Sequence, residues 1–200
     1  MSPPRRRLTL GLVTALAAVA LIALAATVSA DPAQDRKADG KAPTAAVAVL
    51  RDLKGAKLGS VLLQERKDGS LLVSARTRGL SAGFHGFHVH NTGRCDPATK
   101  FASAGPHLGA ERGQTHGQTP HSGDLPSLLV NPDGTASLAL RSGFLSLADV
   151  LDANGSAIIA HSSEDNYANI PNRYDPDPDA LTRDTGDSGD RLQCGEFRPA

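Results

Sequence analysis

From Thr44 onward the chain is a succession of short apolar runs broken by turn-forming residues. The runs are β-branched or leucine-rich, as expected of short strands. The runs lie at Thr44–Arg51, Lys57–Arg66, Ser70–Arg78, Gly83–Asn91, Ser127–Asn131, Thr135–Ser142, Gly155–His161 and Arg191–Phe197. Lys67-Asp68-Gly69 and Pro132-Asp133-Gly134 separate two pairs of them and read as hairpin turns. The pattern predicts an all-β domain of about eight strands, a sandwich or flattened barrel, with no convincing helix. Two long connections interrupt it. Thr92–Pro126 is glycine-rich and aperiodic, and a second stretch runs from His161 to Arg191. Loops of that length in a compact domain are usually functional.

The N-terminal end follows another pattern. Arg5, Arg6 and Arg7 precede Leu8–Val28, a run almost free of polar groups, and Val28-Ser29-Ala30 offers a small-x-small cleavage site. This predicts a signal peptide over residues 1–30, cut after Ala30. Uncut, the run of about 20 apolar residues is long enough to anchor in a bilayer. The adjacent arginines also admit a twin-arginine route. Asp31–Lys41 is polar and reads as a disordered leader, leaving 42–200 as a single domain. The expected location is extracellular or in the cell envelope, including the periplasm.

Charge narrows the partners. Cleavage would remove Arg5, Arg6 and Arg7 from 21 basic residues against an unchanged 21 acidic ones. The remainder is mildly acidic and carries no electrostatic footprint for nucleic acid. The only two cysteines are Cys95 and Cys194. In an exported chain they favour one intramolecular disulfide. Closing a loop of about 100 residues is worth roughly 4–5 kcal/mol in the chain-entropy account.

The candidate chemistry lies in the histidines. His88-Val89-His90 places two imidazoles on one face of a strand, aimed at a common point. His85, His107, His116, His121 and His161 complete the seven, each at the end of an apolar run or among glycines, and Asp124 lies close to three of them in sequence. An isolated H-x-H pair is ordinarily a packed or surface pair. Seven histidines so disposed point instead to a centre with more than one metal.

In their order and spacing, GFHGFHVH, SAGPH, H-S-G-D-L, a histidine closing an apolar strand, and R-L-Q-C-G resemble the copper/zinc superoxide dismutase family. The resemblance runs from about Ala42 to Phe197, and the DNYANIP segment after His161 is closer to the bacterial exported branch. It implies an eight-stranded Greek-key fold, copper and zinc as cofactors, superoxide as substrate, and a Cys95–Cys194 bridge that ties the first long loop to the barrel. It leaves open both a monomer and a homodimer.

Copper suits imidazole ligands, and His88, His90, His161 and His107 can supply four. Zinc suits a closed tetrahedral set, for which His107, His116, His121 and Asp124 are placed. Two such sets need more groups than remain once His85 is set aside, so one imidazole is shared; the resemblance assigns the bridge to His107. It further implies that His107 lets go of copper in the reduced state and carries a proton. His85 faces away from His88 and His90 on a regular strand, and resembles a second-shell histidine beneath the copper. Asp165 resembles an aspartate linking a copper histidine to a zinc histidine through their outer nitrogens. Arg191 resembles the arginine that docks the superoxide anion.

Residues 172–190 contain six aspartates against two arginines. Their D-x-D-x-D run does not make a calcium loop, because Ala180 and Gly186 stand where glycine and glutamate are needed. Acid near an anion's approach path is repulsive, so these carboxylates are expected to turn away from the copper channel. The reading is an exported superoxide dismutase. The alternative is a non-catalytic copper-binding or copper-delivery protein on the same scaffold.

Overall fold

A computed structural model describes residues 42–117, 119–171 and 177–200. The expected signal peptide and the expected leader, residues 31–41, lie outside these residues. Among the described residues no helix is long and apolar enough to cross a membrane.

Among the described residues nine antiparallel strands form one sheet: β1 (Ala45–Asp52), β2 (Lys57–Glu65), β3 (Leu71–Arg78), β4 (Gly83–His90), β5 (Asp124–Val130), β6 (Thr135–Ser142), β7 (Ala157–His161), β8 (Arg191–Glu196) and the two-residue β9 (Arg198–Pro199). The order is β2-β3-β6-β5-β4-β7-β8-β1-β9, and β1 also pairs with β2. That pairing closes eight strands into a barrel, with β9 as an added strand on β1. Eight strands leave an interior just wide enough for side chains to fill. The Greek-key barrel expected from the sequence is therefore present.

Alternation does the filling. Ala46, Ala48 and Leu50 of β1 and Leu71, Val73 and Ala75 of β3 point inward, beside Val61, Leu63, Phe87, Val89 and Leu128. Each large apolar side chain buried this way is worth about 1.5–3 kcal/mol. The two hairpin turns form as expected: Gly69 and Gly134 adopt φ of 80° and 79°, and Asp68 and Asp133 accept hydrogen bonds from the backbone two residues on.

Two expectations are corrected. β5 begins at Asp124, inside the segment read as loop, because Leu125 and Leu128 turn into the core. Two short helices are also present, α1 (Leu147–Val150) and α2 (Ala180–Thr185). Periodicity cannot reveal helices this short. Their caps can: Ser146 accepts from Asp149 N and Asp179 from Thr182 N, and Gly186 ends α2 in the left-handed region.

The first long loop is pinned by a second small core, in which Phe101, Ala104, Ala157, Ile159 and Cys194 pack together with Cys95. Cys95 and Cys194 are disulfide-bonded, with Cα atoms 5.7 Å apart. Phe101 is fully buried although its φ is 64°. Packing thus outweighs the local cost of a left-handed aromatic residue, roughly 1–2 kcal/mol.

Candidate metal centre

The H-x-H pair sits at the end of β4, between β5 and β7. His88 and His90 point out of the barrel while Phe87 and Val89 fill it. The loop returns to the same point. Leu108 N donates to Val89 O and Asn91 N to Pro106 O, so His107 lies bridged against His90. His161 ends β7 with its ring centroid 4.9 Å from that of His88. His121 and Asp124 close a tight turn in which His121 N donates to the carboxylate and Asp124 N to His121 O. His116 is fixed from the other loop, its N–H donating to Arg183 O in α2.

Six of the seven histidines converge, all buried. His88, His90, His107 and His161 offer nitrogens within 4.8 Å of one another, and so do His88, His107, His116 and Asp124. His121 is outside the second grouping by that measure, but its Nδ1 lies 3.2 Å from Asp124 Oδ2. Asp124 is the hub of this half: His107 Nδ1 is 3.0 Å from it and His116 Nδ1 3.2 Å. His107 belongs to both halves, its ring 4.1 Å from His88 and 5.1 Å from His121.

The outer nitrogens are held by the protein. His90 Nδ1 meets Gly105 O at 2.8 Å, His161 Nδ1 meets Gly189 O at 3.2 Å, and His88 Nε2 meets Asp165 Oδ2 at 2.5 Å. The same Asp165 oxygen is 3.9 Å from His116 Nε2, so Asp165 lies between the two halves. Gly186 makes this possible, since a Cβ there would overlap the Asp165 carboxylate. His85 is outside the cluster. Its Nδ1 bonds His161 O at 2.6 Å and its Nε2 bonds Ser81 O at 2.9 Å, so it braces the backbone of a cluster residue.

Burial strips these rings of water and disfavours their cations. His88 and His90 are held well below the usual imidazole range, His161 at about 3 and His116 at about 4; His107 is lowered by burial against the opposing pull of Asp124. Burial opposes ionisation of Asp124, but hydrogen bonds from His107 and His121 outweigh it and hold the carboxyl at about 2. Burial, aided by the charge of Asp124, raises Asp165 to about 7 against a hydrogen bond from Tyr167 N.

The donor set fits metals. His88 Nδ1 and the Nε2 atoms of His90, His116, His121 and His161 are buried with no hydrogen-bond partner. Unpaired buried polar atoms are costly and rare. Neutral imidazoles with one nitrogen anchored and the other unpartnered are what a transition metal needs.

A cavity of 560 Å³ opens over one half, lined by His90, His107, His161 and Arg191. Arg191 donates to Phe101 O at 2.8 Å and Gly105 O at 2.7 Å, so the pinned loop aims its guanidinium beside His90. Asp184 and Asp187 line the same cavity. At these two positions the expectation that the acidic stretch turns away fails: Asp184, in the six-residue helix α2, and Asp187, just after it, both stand on the rim. Asp177 and Asp179 are exposed and outside the lining, and Asp175 is outside the described residues. Sequence reasoning also missed Gly105, whose carbonyl serves both His90 and Arg191, and Tyr167. Gly105 sits in SAGPH; Tyr167 had no signal beyond the DNYANIP segment.

Comparison with known proteins agrees. A family model described as copper/zinc superoxide dismutase matches residues 57–197. The chain is 37% identical over 175 residues to a Mycolicibacterium paratuberculosis protein named copper/zinc superoxide dismutase, spanning 77% of this chain and 75% of that one. A Mycobacterium tuberculosis protein of the same name is 40% identical over 149 residues, 66% of this chain and 61% of the relative. Among solved structures, the clock protein EA4 superposes with a TM-score of 0.64 at 26% identity, covering 80% of this chain and 97% of that one. A SOD-like protein from Bacillus subtilis gives 0.61 at 30%, covering 75% and 96%.

Proposed function

This chain belongs to the copper/zinc superoxide dismutase family, and from that membership we propose that it converts two superoxide anions and two protons to one dioxygen and one hydrogen peroxide. The observation that carries the reading is the set of buried ring nitrogens without partners, gathered beside a cavity that also presents Arg191. His88, His90, His107 and His161 would hold copper, and His107, His116, His121 and Asp124 would hold zinc. A bound copper supplies a one-electron couple, and zinc, which has no redox chemistry, supplies charge and fixed geometry.

The chain's residues have distinct tasks. Arg191 stays cationic and offers a planar fork to a small anion in the cavity. His107 lines the cavity and lies against Asp124 through Nδ1, so it is the group best placed to carry a proton between solvent and bound anion. Asp165 and the carbonyls of Gly105 and Gly189 fix ring orientations through the outer nitrogens. The alternative of a delivery protein is not favoured, because no further cysteine is available for a transfer site and no position of the expected ligand set is lost.

The leader and the disulfide support export, to the extracellular space or the cell envelope. Metal analysis tests the site. Purified protein supplied with both metals should hold one copper and one zinc per chain. His121→Ala and Asp124→Ala should lower zinc occupancy and thermal stability more than copper occupancy. Copper alone in the parent protein would remove the zinc half of the reading.

A further inference from the structure

The second half of the centre has an opening of its own. A cavity of 370 Å³ is lined by His116, Gly117, Pro120, Asp124, Tyr167, Ala168 and Asn169, and among the described residues it shares none with the cavity over His90 and Arg191. It has room for a cation with about six waters, at roughly 30 Å³ each. Asp124, the hub of three imidazoles, lines it, and so does His116, whose Nε2 is buried without a partner among the described residues. Another part of its lining is an unusual piece of chain. Tyr167 and Ala168 are consecutive non-glycine residues in the left-handed region, with φ of 53° and 51°. Such a pair persists only where its surroundings hold it. Here Tyr167 does the holding. Its hydroxyl accepts from Ser127 N at 2.8 Å, donates to Leu125 O at 3.3 Å and lies 3.1 Å from Ser127 Oγ, which ties the wall to the strand that begins with Asp124. Its N–H donates to Asp165 Oδ1, and its ring lies edge-on to that of His116 at 6.0 Å.

We propose that this cavity is a separate port through which a divalent cation enters and leaves the His116–His121–Asp124 half of the centre, with the Tyr167 hydroxyl as the latch on its wall. The proposal rests on the reading that this half holds zinc. A latch alters the speed of passage in both directions and leaves the bound state alone, whereas a merely structural residue alters affinity. Metal-route separation of this kind lets one half be filled while the mouth over Arg191 is occupied by copper or by an anion.

The experiment measures zinc uptake by the zinc-free, copper-loaded full chain, and zinc release from the doubly loaded chain into a chromogenic chelator. Tyr167→Phe should speed uptake and release together, roughly fivefold or more, since each of the hydroxyl's hydrogen bonds that is lost gives a few-fold, with affinity within about twofold of the parent. Asn169→Trp, at the exposed mouth, should slow both and also keep affinity. Leu181→Trp, at the mouth of the other cavity, should leave zinc exchange unchanged. Zinc exchange slowed by Leu181→Trp and indifferent to Asn169→Trp would overturn the port, as would a Tyr167→Phe that only weakens affinity. A parent chain that binds no zinc at all fails earlier and separately, and removes the reading on which the port stands.

Discussion

Arg191 is held by two backbone carbonyls, and that arrangement separates its part from that of the histidines. Removing it deletes a charge in the cavity and loosens the loop at Phe101 and Gly105, but touches no ring nitrogen. Arg191→Ala should therefore keep both metals by elemental analysis and lose about tenfold or more of superoxide consumption, the scale of one lost charged hydrogen bond. Arg191→Lys should lose less, because a point charge survives without the planar fork. Loss of copper from the alanine variant would make the residue structural. The buried histidines give a pH dependence. Their pKa values are depressed in the fold, to about 3 for His161 and about 4 for His116, while in the unfolded chain histidine takes up protons near its ordinary value of 6.5. Such groups contribute stability that is present above about 6.5 and lost as pH falls toward 4 and 3. Asp165, raised from 3.8 to about 7, works the opposite way, since its contribution is lost as pH rises between those values. One carboxyl opposes five lowered imidazoles, so the metal-free protein should unfold at lower urea at pH 5 than at pH 7. An equal or higher midpoint at pH 5 would contradict the neutral cluster.

At the scale of elements, the centre depends on short pieces that overlie the barrel. The strands were legible in the sequence because short β-branched or leucine-rich runs stand between turn-forming residues, and all eight expected runs became strands. The clustered histidines were legible because they sit at strand ends or among glycines. What was not legible is how the two long loops close over them. α2 is only six residues long, marked by Asp179 and Gly186; it and the turn after it bring Asp184 and Asp187 to the rim and Arg183 O to His116 N. Asp187 is fastened there by Thr182 Oγ1 at 2.9 Å and Asn166 Nδ2 at 2.6 Å. Two carboxylates beside one guanidinium should slow the entry of an anion. Asp184→Asn with Asp187→Asn should raise superoxide consumption severalfold at low ionic strength. Salt should shrink the gain, because screening acts over about 10 Å at 0.1 M. A double variant that matches the parent at all salt concentrations would show that the hydrogen-bonded carboxylates do not reach the anion's path.

Across the whole molecule, a closed barrel supplies rigidity and the loops supply chemistry. The disulfide joins the two directly. Cys95 stands in the loop that carries His107, Phe101 and Gly105, and Cys194 in the strand that starts with Arg191. One covalent tie therefore links the strand that starts with Arg191 to the loop that carries His107, and its sequence separation of 99 residues makes it a large constraint on the unfolded chain. The sequence could place both cysteines but not the route by which Phe101 packs beneath the bridge, since that depends on a left-handed backbone only tertiary packing supports. Catalysis is distinguished from mere copper retention by following superoxide decay with the purified, copper- and zinc-loaded chain. The decay should be first order in protein, with many superoxide anions consumed per chain, and should be abolished in His161→Ala. Decay at the rate of buffer alone, with both metals shown to be bound, would contradict it and leave a copper-holding protein on the same barrel.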